Sequence, residues 1–367
     1  MIFNKVMCKN SFYILFFSYI LISFSHADHL KGKNQKDLDK IFVGRTEGTP
    51  KDFDKILIKP SSNPNNITKE LVDNKNTKEI EKIIDKKNLL SVIYYDGQKI
   101  VVDKKSFKIK NDTKLYSFSL ANGFTSYILG DAICKGHIKG LDDKISKYVP
   151  DTKGTLYENT SIKDLINMSA GDSEVIGKKG VSSMKWAFEV VQNKTTSKKF
   201  LESISGKSVS DKIFNFNNFL PDLVSRAIDV ASPGGLKNAY QQFANKSGTS
   251  SEMFFLIDKN GWPMTHGWLF ADREDFLRLS IQIYKDWNSD SCLGKYFKDL
   301  ESNKINISKN SDYSGFFYFN LKNKSRNVQM QAHGGQLIHV NLDTGTVLAY
   351  HSITKDYKNN SIWKLLD

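Results

Sequence analysis

Arginine is scarce in this 367-residue chain. Only five of its 53 basic side chains are arginine (Arg45, Arg226, Arg273, Arg278 and Arg326), against a formal net charge of +13. The planar guanidinium fork suits phosphate and base-edge recognition, whereas lysine spread along a whole chain reads as a solvated surface. With no groove-reading motif, the charge does not point to a nucleic-acid partner. Proline is scarce too: seven prolines beside 40% hydrophobic residues exclude a disordered or collagen-like chain. Only three cysteines are present, and the chain is long enough to bury a core without metal or disulfide. No apolar run reaches the ~20 residues needed to cross a bilayer, which excludes a polytopic membrane protein. The length allows two domains, or one large α/β unit with an insertion.

What is present begins with an address. Lys5 and Lys9 precede an apolar stretch from Phe12 to Phe24, and Ser25-His26-Ala27 places small residues at −3 and −1 of a cleavage site. This is the three-part pattern of a secretory signal peptide spanning residues 1–27, with a mature chain from Asp28 in the periplasm or outside the cell and no stable membrane span after removal. Lys5, Lys9 and Cys8 leave with it, taking no acid, so the mature balance is +11. Cys134 and Cys292 remain, free to bridge in an oxidising compartment or to lie apart as buried thiols. Neither has a Cys or His at zinc-ligand spacing beside it. His26, His29, His137, His266, His339 and His351 form no ligand cluster, so neither metal nor cofactor is expected.

Residues 28–87 read as a polar N-terminal extension with Pro60 and Pro64 in loop and one amphipathic helix from Ile67 to Lys86, its apolar positions Leu71, Ile80, Ile83 and Ile84. Leu89–Tyr95, Asp96-Gly97 and Ile100–Val102 form a hairpin signature. Leu115–Phe118 is strand-like. Ser119–His137 has helical spacing, with Phe124, Ile128 and Ala132 on one face. Residues 141–244 are mostly helical. Strand signals return at Met253–Ile257, Phe316–Phe319, Gln336–Val340 and Val347–Ile353, and Trp363–Leu366 suggests a closing helix. Strands at both ends around a helical block imply an α/β (α+β) unit over residues 88–367, its sheet from 88–118 and 252–367 and its helical insert at 119–251.

The segment Tyr116-Ser117-Phe118-Ser119-Leu120-Ala121-Asn122-Gly123 resembles the nucleophile segment of the β-lactamase-related serine hydrolases, which include class C-type β-lactamases, penicillin-binding DD-peptidases, related esterases and 6-aminohexanoate-dimer hydrolases. Gly140–Pro150, Ile162–Gly171, Ala271–Leu279 and His333-Gly334-Gly335-Gln336 are similar to later stretches of that family and follow in its order. The resemblance implies a β-lactamase/transpeptidase-like fold with an antiparallel sheet flanked by helices. It also implies a serine of S-x-x-K at a helix start, attacking a carbonyl, with the lysine one turn on as base. A Y-x-N tyrosine handles a second proton, and a K-T-G or H-x-G strand lines the far wall and lends a backbone N–H to the oxyanion hole.

Against that pattern Ser119 is retained, but the lysine position is Asn122, whose amide accepts no proton at neutral pH. Phe216-Asn217-Asn218 stands for Y-x-N: Phe216 keeps the ring without the phenol, and Asn218 keeps the asparagine. His333 is the titratable survivor, expected on the strand facing Ser119, with Gly335 and Gln336 as substrate wall and oxyanion donors. Literal S-x-x-K at Ser182, Ser352 and Ser361 is no more than chance supplies in a chain this rich in serine and lysine, and Tyr157-Glu158-Asn159 falls too early in the family order. Trp262, Trp268 and Phe270 line the cleft or pack beside it. The expectation is a pseudo-enzyme binding a small-molecule, peptide or cell-wall-like ligand. The alternatives are a hydrolase using Ser119 with His333 or water, and a lysine-rich envelope-interaction protein.

Overall fold

The computed structural model describes residues 53–86, 89–107, 109–177, 181–206, 213–322 and 324–352. The expected leader, the extension as far as residue 52 and the expected closing helix Trp363–Leu366 lie outside the described residues.

The chain opens with β1 (Lys55–Ile58) and α1 (Lys75–Lys86), followed by the hairpin β2 (Leu89–Tyr95) and β3 (Ile100–Lys105) and the short β4 (Leu115–Tyr116). α2 (Leu120–Cys134) leads into α3 (Ile162–Ile166), α4 (Ser183–Val190), α5 (Ser197–Glu202), α6 (Leu220–Ala231) and α7 (Gly235–Ser247). Then come β5 (Met253–Leu256), β6 (Leu269–Ala271), α8 (Arg273–Trp287) and α9 (Cys292–Ser302). The chain closes with β7 (Ile305–Ser308), β8 (Ser311–Ser314), β9 (Phe317–Asn320), β10 (Asn327–Ala332), β11 (Gln336–Asn341) and β12 (Val347–Ser352).

Eight strands form one antiparallel sheet in the order β3-β2-β12-β11-β10-β9-β8-β7. The strands on either side of the helical block therefore meet where β12 pairs with β2. Alternation assigns the two faces: Val92, Leu337 and Leu348 pack with Ile80 and Ile84 of α1, while Ile93, Ile338 and Ala349 face the core shared with α2 and α8. The molecule is thus an α/β layering with helices on both faces of the sheet. α2 is buried along most of its length. It lies close on β9 and β10 because position 123 is glycine: a Cβ there would come within 2.5 Å of the Met330 sulfur and 2.8 Å of the Phe317 ring.

Three expectations need correction. The helix expected from Ile67 begins at Lys75, because Asn74 and Thr77 cap each other: the Thr77 N–H donates to Asn74 Oδ1 and the Asn74 N–H to Thr77 Oγ1, both at 3.0 Å. Residues ahead of it instead run beside β3, with a parallel bridge between Lys69 and Ile100, and Leu71 is exposed. Second, β5 and β6 do not join the large sheet. They form a second, four-stranded sheet in the order β1-β5-β6-β4, with β1 drawn from the stretch read as a polar extension. Stacking of Phe254 on Phe270, centroids 4.6 Å apart, and the edge of Tyr116 on Phe270 at 5.0 Å hold it together. Third, His333 lies on a turn and not on a strand, as described below.

Cys134, at the end of α2, is bonded to Cys292 at the start of α9, with Cα atoms 5.7 Å apart. The bridge ties the helix that begins beside Ser119 to the helix pair behind the sheet. Among the described residues no helix is long and apolar enough to cross a membrane.

Candidate functional site

Ser119 sits between β4 and α2, where the chain must turn sharply. Phe118 takes up the turn with φ +44°, a conformation few L-residues adopt, and Ser119 follows with φ −65° and ψ 0°. Neighbouring bonds hold the turn: the Ser117 N–H donates to the Leu269 carbonyl at 3.0 Å, and its hydroxyl to the Gly267 carbonyl at 3.2 Å. A Cβ on residue 267 would lie 3.2 Å from the Phe118 Cα, so glycine permits this approach. The Ser119 side chain makes no capping bond to α2, which removes the ordinary role of a serine at a helix start. Half-buried, it faces a cleft of about 310 Å³ at the positive end of the helix dipole.

Phe216 and Asn218 line the same cleft. Their loop is held by the residue between them. Fully buried Asn217 donates to the Tyr157 hydroxyl at 2.8 Å and the Asp172 carboxylate at 2.7 Å, and its Oδ1 accepts the Phe219 N–H at 2.9 Å. Tyr157, whose Y-x-N motif falls early in the order, is thereby a buried strut and not a cleft residue. Asn218 donates through its backbone N–H (3.2 Å) and side-chain amide (3.4 Å) to the Ser183 hydroxyl, which fixes the loop against α4. The nearby S-x-x-K at Ser182 is only the cap of α4, its hydroxyl accepting the Lys185 N–H.

His333 also lines the cleft, with its ring centroid 5.4 Å from that of Phe118. It opens a tight turn, His333–Gly335, between β10 and β11, because Gly334 (φ +79°) and Gly335 (φ +80°) reverse the chain there. Gly335 and Gln336 are not among the cleft's lining residues. Past the reversal the Gln336 side chain enters a small space behind Tyr116 and Phe118, together with His351 and Ser352, and its Oε1 has no hydrogen-bond partner among the described residues. Asn122 is likewise not in the lining. It lies one helical turn below Ser119, 3% exposed, and its Oδ1 is buried without a hydrogen-bond partner among the described residues. The cleft therefore gathers Ser119, Phe216, Asn218 and His333 but not Asn122, Gly335 or Gln336.

Met184 and Phe188 from α4 and Gln331 from β10 also line the cleft without any sequence signal, and so does Tyr318 of β9, whose literal Tyr318-Phe319-Asn320 match to Y-x-N falls too late in the family order. Burial raises the Tyr318 hydroxyl to about 12 and the Tyr116 hydroxyl well above its ordinary value, so both stay protonated at neutral pH. Trp268 lines the cleft, whereas Trp262 and Phe270 pack away from it. His266 is the most informative omission. Its Nδ1 bonds Asp222 Oδ2 at 2.9 Å, and its Nε2 accepts the Trp268 indole N–H at 2.9 Å. Burial raises the Asp222 carboxyl above its ordinary value, an effect the neighbouring His266 opposes. No residue among the described lining carries a fixed charge. Among the described residues no group of three or more His, Cys, Asp or Glu side chains could hold a metal ion.

No protein-family model and no curated protein matches the chain. Solved structures do. A putative 6-aminohexanoate-dimer hydrolase from Bacillus anthracis superposes with a TM-score of 0.69 at 12% identity, covering 86% of this chain and 88% of that one. A D-stereospecific amidohydrolase from Streptomyces sp. gives 0.58 at 14% identity, over 80% and 98%. A penicillin-binding protein from Bacillus halodurans gives 0.56 at 12% identity, over 80% and 99%. At such identities the likeness is one of fold.

Proposed function

From a chain that has the β-lactamase-related serine-hydrolase fold, we propose a protein exported to the periplasm or beyond that keeps the cleft of that fold as a ligand-binding site and has lost its serine-dependent catalysis. The ligand is a small molecule, a peptide or a cell-wall fragment. The observation that carries this reading is the absence of any Lys, Arg, Asp or Glu from the described cleft lining, with a buried amide, Asn122, one turn below the serine and a phenyl ring, Phe216, on the facing loop. A serine hydroxyl is a weak nucleophile until a base takes its proton, and losing one general base costs ~10²–10⁴ in rate. Two replacements in one unit do not add simply.

One observation favours a second reading, in which the protein hydrolyses an ester or amide. His333 lies in the same cleft as Ser119, its ring against that of the preceding residue. There the Ser119 Oγ would attack the carbonyl carbon while the imidazole takes its proton and returns it to the leaving group as the ester or amide bond breaks, and a water deprotonated by the same imidazole would then release the acyl group from Ser119. Hydrolysis of short-chain esters separates the two. The pseudo-enzyme reading expects wild type and Ser119→Ala to match the uncatalysed rate, and Asn122→Lys/Phe216→Tyr to gain turnover that requires Ser119. Wild-type turnover that vanishes in Ser119→Ala establishes the second reading instead.

A further inference from the structure

Resting on the reading of the cleft as a ligand site, we propose that it takes an uncharged ligand about the size of one capped amino acid, apolar or aromatic on one side with an amide or ester group on the other, and excludes carboxylates. At about 310 Å³ the cleft is at the small end of ligand sites. Its aromatic wall is built before any ligand arrives. The Tyr116 ring meets Phe118 at 4.4 Å and Trp268 at 4.6 Å, both edge-on. The Trp268 indole is held from behind by His266, and His266 by Asp222. In that chain Nε2 accepts from the indole, so the ring proton resides on Nδ1 and is donated to the carboxylate. His266 thus has neither nitrogen left for a ligand, and works as a strut that fixes the rotamer of Trp268.

The polar side of the cleft consists of Ser119, Asn218, Gln331 and His333, which can bond a carbonyl or an N–H but bring no fixed charge. A ligand carboxylate entering here would lose its hydration without gaining an ion pair from any described residue of the lining. The N-terminus of α2 offers only a partial positive charge, and the Asp222 carboxylate behind His266 opposes an anion. A neutral amide or ester loses much less on entry and regains it in hydrogen bonds.

Tryptophan fluorescence of the full protein, titrated at pH 8 with N-acetyl-phenylalanine amide and with N-acetyl-phenylalanine, tests this. The two probes differ only in charge at one end, and at pH 8 an ordinary imidazole is neutral. The amide is expected to bind about ten-fold more tightly or better. In Met184→Lys, which puts a cation of similar length on the half-buried face of α4, the carboxylate is expected to draw level or overtake. Equal or tighter wild-type binding of the carboxylate, with competition between the probes and loss of both in Ser119→Phe, overturns the ligand class and leaves the cleft reading standing. If neither probe binds, or both bind Ser119→Phe unchanged, the cleft reading falls and this proposal with it.

Discussion

Acidification should destabilise the protein through two histidines that the cleft does not use. His339 and His351 are 4% and 1% exposed, and burial depresses both to about 3, with the Arg273 guanidinium as a smaller second cause for His351. Their settings agree with neutral rings: His339 Nδ1 is 3.0 Å from the Gln329 amide nitrogen, and neither His351 nitrogen has a hydrogen-bond partner among the described residues. The unfolded chain protonates each imidazole near 6.5 and the folded chain only near 3. Between those values the unfolded state holds more protons, so stability falls as pH falls. From pH 7 to pH 5 each ring contributes a loss of ~2 kcal/mol, about 4 kcal/mol for the pair. Asp222, whose carboxyl is raised by burial, works in the opposite sense, because the folded state takes up its proton first. Urea denaturation of wild type and His351→Leu at both pH values cancels that contribution. The variant should lose ~2 kcal/mol less than wild type over this range, and should be at least as stable at pH 7, since it removes two unbonded buried nitrogens. Equal losses in the two proteins would refute the reasoning.

Reducing the Cys134–Cys292 bond, or replacing both residues by serine, frees a loop with a sequence separation of 158. The expected loss is ~2–5 kcal/mol, with the chain-entropy figure for a loop of this length at its top, read as a lower urea midpoint in the reduced protein, and an unchanged midpoint contradicts it. Asn217→Ala removes three buried hydrogen bonds from the loop carrying Phe216 and Asn218. It should cost ~2–4 kcal/mol in thermal or urea melts and weaken binding of N-acetyl-phenylalanine amide. Unchanged stability would mean that the loop is held by other contacts.

Much of the fold was legible because local chemistry and tertiary placement agree. The Asp96-Gly97 turn, the apolar runs of β2 and β12, and Phe124, Ile128 and Ala132 on α2 all do in the fold what their spacing implies. β10 alternates polar and apolar residues as a half-buried strand does, but Asn327 and Gln329 are buried along with Val328 and Met330, because the strand lies between β9 and β11. β1 was missed because four residues gain their meaning only by pairing with β5. At the cleft, family order pointed to Ser119, Phe216, Asn218 and His333, which do share it. Gly335 and Gln336 depart because two left-handed glycines turn the chain away, a detail that a linear strand assignment does not contain. The Asp222-His266-Trp268 chain joins α6 to the segment before β6, and no spacing in the sequence announces it.

The central claim is that Ser119 is housed as a nucleophile would be but lacks the means to act as one. Intact-mass measurement of the full protein after incubation with a fluorophosphonate, and separately with a fluorescent penicillin, tests it most directly. The account predicts an unchanged mass, identical to that of Ser119→Ala treated alike. A stoichiometric adduct that maps to Ser119 and is absent from Ser119→Ala would contradict it.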